Sequence, residues 1–315
     1  MKKLAAAFAF ATLSVATASA EPAAYPQKVV TLVTHSSPGG GSDVFLREMV
    51  KHLGKYINAT FIVENVSGGS GARAMSKLAT AKPDGSTFYA ITPTYIYTSL
   101  MSKPQHTFRD LQPLAIFFAD PEVLYTRADG PYKSVKDVID HARKARGRFG
   151  VANPASLERQ AAERLKAAAK VNAAIVSHEG GGDLMINVLN GTLDAGVGEI
   201  QELRAQLAGN KVRLLGSFTE KRLADFPDLP TVKEQGFDVV VHKFRGLAGP
   251  KGLSPEVIAI WEKAIPQLLA DPEYKKVYAQ ESLIVDFRGS AAATQLVNTF
   301  AAESEAFLKE TGVIK

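Results

Sequence analysis

Cysteine is absent from the 315 residues, so the chain has neither a disulfide framework nor a thiolate metal site. Beyond residue 20 it also lacks any apolar run approaching the ~20 residues that a membrane span requires. The one long apolar stretch stands at the start. Lys2 and Lys3 precede an almost unbroken apolar run from Leu4 to Val15, and Ala18-Ser19-Ala20 follows. That order of charge, apolar core and small-x-small site predicts a secretory signal peptide, cut after Ala20, and hence a periplasmic protein. The mature chain then has 315 − 20 = 295 residues, enough for two modest domains.

Catalytic signatures are missing too. There is no G-x-S-x-G elbow, H-E-x-x-H pair, P-loop lysine or C-x-x-C. The histidines at 35, 52, 106, 141, 178 and 242 are scattered, without metal-ligand spacing. Of these, His35 and His178 stand at strand ends beside glycine-rich loops, where a ligand comes within reach. No catalytic residue, metal or other cofactor is expected. A basic stripe is absent as well. The formal charge of +5 falls to 5 − 2 = +3 once Lys2 and Lys3 leave. The densest basic run, Arg143 to Arg148, ends a helix-like stretch, where cations suit the dipole. Nucleic-acid binding is therefore not expected. Low-complexity segments and short repeats do not occur.

What the chain does have is a rhythm. Short apolar runs alternate with amphipathic stretches, the pattern of a parallel sheet covered by helices. Strands are predicted at 29–34, 60–63, 87–92, 114–118 and 123–125, and again at 149–152, 174–177, 195–198 and 212–217. Val239–Val241 then heads back toward the first half, and three helical stretches from Ser254-Pro255-Glu256 onward finish the chain. Two similar halves without a long flexible linker imply that the chain crosses from one lobe to the other and returns. Two crossings make a hinge able to close on a ligand. The expected division places 21–120 with 245–315 in lobe 1 and 121–244 in lobe 2.

Three glycine-rich loops each follow a strand and open a helix, at Gly39–Ser42, Gly68–Gly71 and Gly180–Asp183. Such a junction gathers backbone N–H groups and a positive dipole end at a sheet edge, an anion site that needs no arginine. The alternative is tight turns for close helix–sheet packing. Loops of this kind in both halves favour the anion site. A dinucleotide fingerprint fits poorly, since the third glycine is missing at the required spacing.

The same loops carry a family resemblance. Tyr25–Val30 with Pro38–Asp43, Val63–Gly71, Lys82–Thr87, Gly180–Asp183, Leu189–Asp194, Phe226–Gly236 and Gly246–Pro250 resemble, in order, the tripartite tricarboxylate transporter receptors of the TctC or Bug type. The resemblance spans essentially the whole mature chain. It implies an α/β, two-lobed periplasmic-binding-protein type II fold, with a small organic carboxylate held in the cleft. Carried over, it assigns Ser37, Gly40, Gly41, Ser42 and Asp43 from the first loop, Asp43 as a helix cap rather than a contact. Ser67, Gly68, Gly69 and Ser70 come from the second loop, and Thr92 and Thr94 follow the third strand. The second lobe adds Asn153, Ser156, Gly181, Gly182, Asp183 and Glu199.

Three departures bear on specificity. The second loop reads Ser67-Gly-Gly-Ser-Gly71, where the family often has Pro-Gly-Ala-Gly-Gly. Val151–Ser156 has fewer serines and glycines than usual. Phe244-Arg245 replaces an aromatic pair, and Arg245 has the geometry to clamp a second carboxylate in bidentate fashion. Its alternative is a surface arginine near the hinge. The expected function is capture of a di-, tri- or aromatic carboxylate by a monomer that delivers it to membrane permease subunits. The other readings are a periplasmic enzyme using Glu199, His178 or Asp183, and a ligand sensor for a signalling partner.

Overall fold

Apolar alternation in this chain sorts its strands into two separate sheets, each sheathed in helices. In a computed structural model, which describes residues 25–178 and 180–315, the first part runs β1 (Val29–Thr34), α1 (Gly41–Leu53), β2 (Thr60–Asn65), α2 (Ala72–Ala79), β3 (Thr87–Ile91), α3 (Pro93–Ser102) and β4 (Leu111–Asp120). The middle part runs β5 (Glu122–Arg127), α4 (Val135–Lys144), β6 (Gly147–Val151), α5 (Leu157–Ala169), β7 (Ala173–Ser177), α6 (Gly181–Leu189), β8 (Ala195–Glu199), α7 (Ile200–Ala208) and β9 (Val212–Ser217). The chain ends with β10 (Lys243–Pro250), α8 (Pro255–Leu269), α9 (Pro272–Gln280), β11 (Ile284–Arg288) and α10 (Ser290–Glu310). The predicted signal peptide, residues 1–20, lies outside the described residues.

One sheet has the order β11-β4-β10-β3-β1-β2 and the other β7-β6-β8-β5-β9. The wholly parallel sheets expected from the alternation are corrected to mixed ones. β1 is parallel to β2 and β3, and β6 to β7 and β8. β10 runs antiparallel to both β3 and β4, and β5 antiparallel to β8 and β9. The cause is the crossing itself. β4 leaves the first sheet and passes through Pro121 straight into β5, while β10 returns beside it in the opposite direction. Lys243 is thus paired with Asp120, and Arg245 with Phe118.

Apolar layers hold the helices against both sheets, and one of these layers runs continuously from the first sheet to the second. Phe45, Leu46, Met49 and Leu53 of α1 are buried with Val257, Trp261 and Ile265 of α8 against the first sheet. In the second, Val138 and Ile139 of α4 and Ala161, Ala162 and Leu165 of α5 are buried against Phe149 and Val197. At roughly 1.5–3 kcal/mol per large apolar side chain taken from water, these layers are the main stabilising term. Among the described residues, no helix is long and apolar enough to cross a membrane.

Candidate functional site

The first loop ends in a helix whose amides are left for something other than its own side chains. Gly40 is the N-cap of α1 and offers no side-chain cap. Asp43, fully inside, accepts from the Gly39 amide at 2.8 Å, from Arg47 Nε at 2.9 Å and from Asn65 Nδ2 at 2.8 Å. Burial works to raise its pKa, but those three donors hold it below the ordinary range. Asp43 therefore braces the loop. The Gly41 amide donates across the lobe boundary to Glu202 Oε1 at 3.2 Å. On the other side, a Cβ at Gly181 would lie 2.8 Å from Glu202 Oε2. The N-termini of α1 and α6 therefore confront each other with the Glu202 carboxylate between them, where dipole and amides favour negative charge. Ser42 Oγ turns inward and accepts from Arg245 Nη1 at 3.0 Å.

The remaining expected positions take other places. Ser37 is exposed on the rim, with Gly40 beside it, and Gly182 and Asp183 are exposed at the start of α6. Ser67, Gly68 and Gly69 are exposed, while the Ser70 carbonyl accepts from Thr98 Oγ1 at 2.7 Å. Gly71 closes this second loop at φ +98°, and a Cβ there would sit 3.0 Å from the Tyr89 hydroxyl, so only glycine fits comfortably. Tyr89 in turn bonds His35 Nδ1 at 2.8 Å. Burial, then the nearby Lys243 and Arg245 charges, lower the His35 pKa to about 4, so the ring is neutral. His178 Nδ1 lies 3.4 Å from the Val151 carbonyl. Thr92 is the N-cap position of α3, and Thr94 is buried as the second residue of that helix. Asn153 Oδ1 accepts from the Ala155 amide at 3.0 Å, and Ser156 Oγ caps α5 through the Arg159 amide at 3.2 Å. Gly41, Ser42, Gly181, Glu199 and Arg245 are the expected residues that meet at the lobe boundary.

Arg245 is 0% exposed, so the alternative of a surface arginine is overturned. In a strand, residues i and i+2 share a face. Lys243 and Arg245 project together from β10, and Asp120 and Glu122 together from the outbound crossing. The Lys243 ammonium donates to Glu122 Oε1 and Glu158 Oε1, each at 2.8 Å, and to Glu199. The Arg245 guanidinium donates to Asp120, to Ser42 and to Glu199 Oε2 at 3.0 Å. Glu122, Glu158 and Glu199 bring one oxygen each close enough together to hold a cation, and the Lys243 ammonium stands at that point. Gln201 joins the cluster through Glu199 Oε2 at 2.6 Å.

Burial and charge pull these groups apart. Burial pushes Glu122 well above the ordinary carboxylate range, and Asp120 upward. Burial together with the adjacent Glu199 charge raises Glu202 to about 8. Against burial, the Lys243 and Arg245 charges bring Glu199 down to about 2, and Lys243 lowers Glu158. The same carboxylates raise Lys243 well above its usual value, against the opposing effect of burial. Sequence reasoning missed Asp120, Glu122, Glu158, Gln201, Glu202 and Lys243. The available signal was charge at alternate positions inside apolar runs, Asp120-Pro-Glu122 and Lys243-Phe-Arg245. A cavity of about 490 Å³ lies behind these strands, lined by Tyr97, Arg164, Phe244 and Phe300 of α10; the glycine loops are not part of it.

A family model described as "Tripartite tricarboxylate transporter family receptor" matches residues 45–313. The "UPF0065 protein in gbd 5'region" of Cupriavidus necator is 25% identical over 315 residues, covering 99% of this chain and 96% of that one. The structure described as "R. palustris Rpa4515 with adipate" superposes with a TM-score of 0.87 at 22% identity, covering 92% of this chain and 99% of that chain. "Structure of periplasmic binding protein BugD" superposes with a TM-score of 0.84 at 23% identity, covering 92% and 100%. These likenesses carry the fold, a two-lobed periplasmic-binding-protein architecture, and the match over residues 45–313 carries the family: this chain belongs to the tripartite tricarboxylate transporter receptors.

Proposed function

We propose that this protein is an exported periplasmic receptor that closes on a small organic carboxylate and presents the closed form to the permease subunits of a tripartite transporter. The observation that carries the reading is the pair of helix N-termini, α1 and α6, facing each other across the lobe boundary around a carboxyl group, that of Glu202. A ligand carboxylate takes the Gly41 amide when the lobes open and Glu202 withdraws. Arg245 lies behind Ser42, where it steadies the first loop and reaches a distal acidic group only by leaving Asp120 or Glu199. The lobes divide as 21–120 with 245–315 and 121–244, and the crossings at Pro121 and before Lys243 form the hinge. A structure described as holding adipate shares the fold, which supports a carboxylate guest. On this reading the receptor is a monomer, the signal peptide is removed after Ala20, and the acid leaves chemically unchanged.

Native mass spectrometry of the freshly purified mature protein tests the proposal. An adduct with the mass of an organic acid, released intact on denaturation, is the expected result. Recovery of a converted product points instead to an enzyme, and a protein that carries nothing and binds no acid in calorimetry after refolding overturns the receptor reading.

A further inference from the structure

We infer that the guest carries a cationic nitrogen besides its carboxylate, received by the acid cluster of Asp120, Glu122 and Glu158; the inference rests on the receptor reading and narrows it to amino-carboxylates. The first observation is the charge imbalance. Five carboxyl groups, Asp120, Glu122, Glu158, Glu199 and Glu202, meet two cations, Lys243 and Arg245, at the lobe boundary. Charges in such surroundings require counter-charges, or they take up protons.

The second observation is the kind of atom left over. Asp120 Oδ1, Glu122 Oε2, Glu158 Oε2 and Gln201 Oε1 are buried with no hydrogen-bond partner in the protein, and with the acids ionised all four are acceptors. Asp120, Glu122 and Glu158 are 3%, 1% and 6% exposed, so bulk water does not meet that need. Leaving a buried acceptor unmet carries its full desolvation penalty. A second carboxylate supplies acceptors only and adds a negative charge. A protonated amine supplies three donors and a positive one.

The third observation is that the resident cations are already engaged. The three ammonium hydrogens of Lys243 have three carboxylates to meet, Glu122, Glu158 and Glu199. Arg245 is directed at Asp120, Glu199 and Ser42. A metal ion on Glu122, Glu158 and Glu199 would first have to expel the Lys243 ammonium. The elevated Glu122 identifies a proton as the other counter-charge, one that an incoming ammonium displaces. The guest then lies with its carboxylate toward Gly41 and its nitrogen toward the crossing strands.

Calorimetry on the refolded mature protein, with pairs that differ only in the distal group, tests this. The pairs are glutarate with γ-aminobutyrate, adipate with δ-aminovalerate, and succinate with β-alanine. The expected result is at least about tenfold tighter binding of the amino member in the best-fitting pair, with that preference lost in Glu158→Gln. Glu122→Gln serves as the second variant should the first not fold. Tighter binding of the dicarboxylate overturns the inference and leaves the receptor reading standing. Binding of neither series also overturns it, and the receptor reading is then judged separately by the adduct carried in native mass spectrometry. A preference that persists unchanged in both variants places the nitrogen elsewhere and overturns the assignment.

Discussion

Glu202 Oε1 holds the Gly41 amide, so on the receptor reading one side chain competes with the ligand for the same hydrogen. Glu202→Ala removes that competing acceptor altogether. Ligand affinity is expected to rise by up to about tenfold in calorimetry, and an unchanged or weaker affinity contradicts the competition. The same residue sets a pH dependence. The folded protein holds the Glu202 proton up to about 8, against an ordinary 4.5, so its stabilising contribution is full below 4.5 and is lost as pH rises toward 8. Glu281, raised by burial to about 7, acts in the same direction. Glu199 works the other way: held at about 2, it contributes fully above 4.5 and is lost as pH falls toward 2. Thermal melts of the ligand-free protein are expected to peak at mildly acidic pH and decline on both sides. The decline toward alkaline pH should be shallower in Glu202→Gln, and a melting temperature rising steadily from about pH 5 to 8 rules this out. None of this was legible from residue type alone. Glu202 and Glu158 read as ordinary polar faces of amphipathic helices, yet Glu158 meets Lys243 across 85 residues of sequence and Glu202 meets the Gly41 amide across 161.

At the level of elements, the glycine loops were the readable part, because glycine next to a β-branched run leaves few alternatives. β1 and β9 have the boundaries that the apolar runs predict, and α5 starts at its serine cap. α3 was missed because Pro93 to Leu100 is buried on every side, which erases the polar face that marks a helix. β11 was missed because its residues alternate in exposure only weakly at a sheet edge. The returning strand starts at Lys243 and not at Val239, since charged Lys243 and Arg245 break the apolar pattern where the strand lies. The close approach of α1 to the second lobe yields a further prediction. A Cβ at Gly41 would run into the Glu199 carboxylate and lie 2.6 Å from Gln201 Nε2. Gly41→Ala is therefore expected to keep both lobes folded yet hold them apart, seen as a larger radius of gyration in small-angle scattering with ligand present. A variant that closes like the wild type contradicts the contact.

For the molecule as a whole, the two-lobe division followed from the repeated rhythm and the double crossing, and two sheets are what the fold contains. The sequence could not reveal that the crossings lie side by side and bind each other through ion pairs. Lys243 touches acids from β5, α5 and β8 at once, so it fastens elements of the second sheet to a strand of the first. Lys243→Gln leaves three buried carboxylates without their shared counter-charge. The expected cost is about 3–5 kcal/mol in urea denaturation near neutral pH; a loss below about 1 kcal/mol would mean that protonation replaces the ammonium at little cost.

The position of β10 has a consequence for how the protein is made. It is inserted between β3 and β4, in the interior of the first sheet, although it is encoded long after both. Until residue 250 has been synthesised, that sheet has a gap one strand wide, with open backbone edges on either side. The amino-terminal lobe cannot mature ahead of the rest, so a growing chain stays unfinished, and hence threadable, until nearly all of it exists.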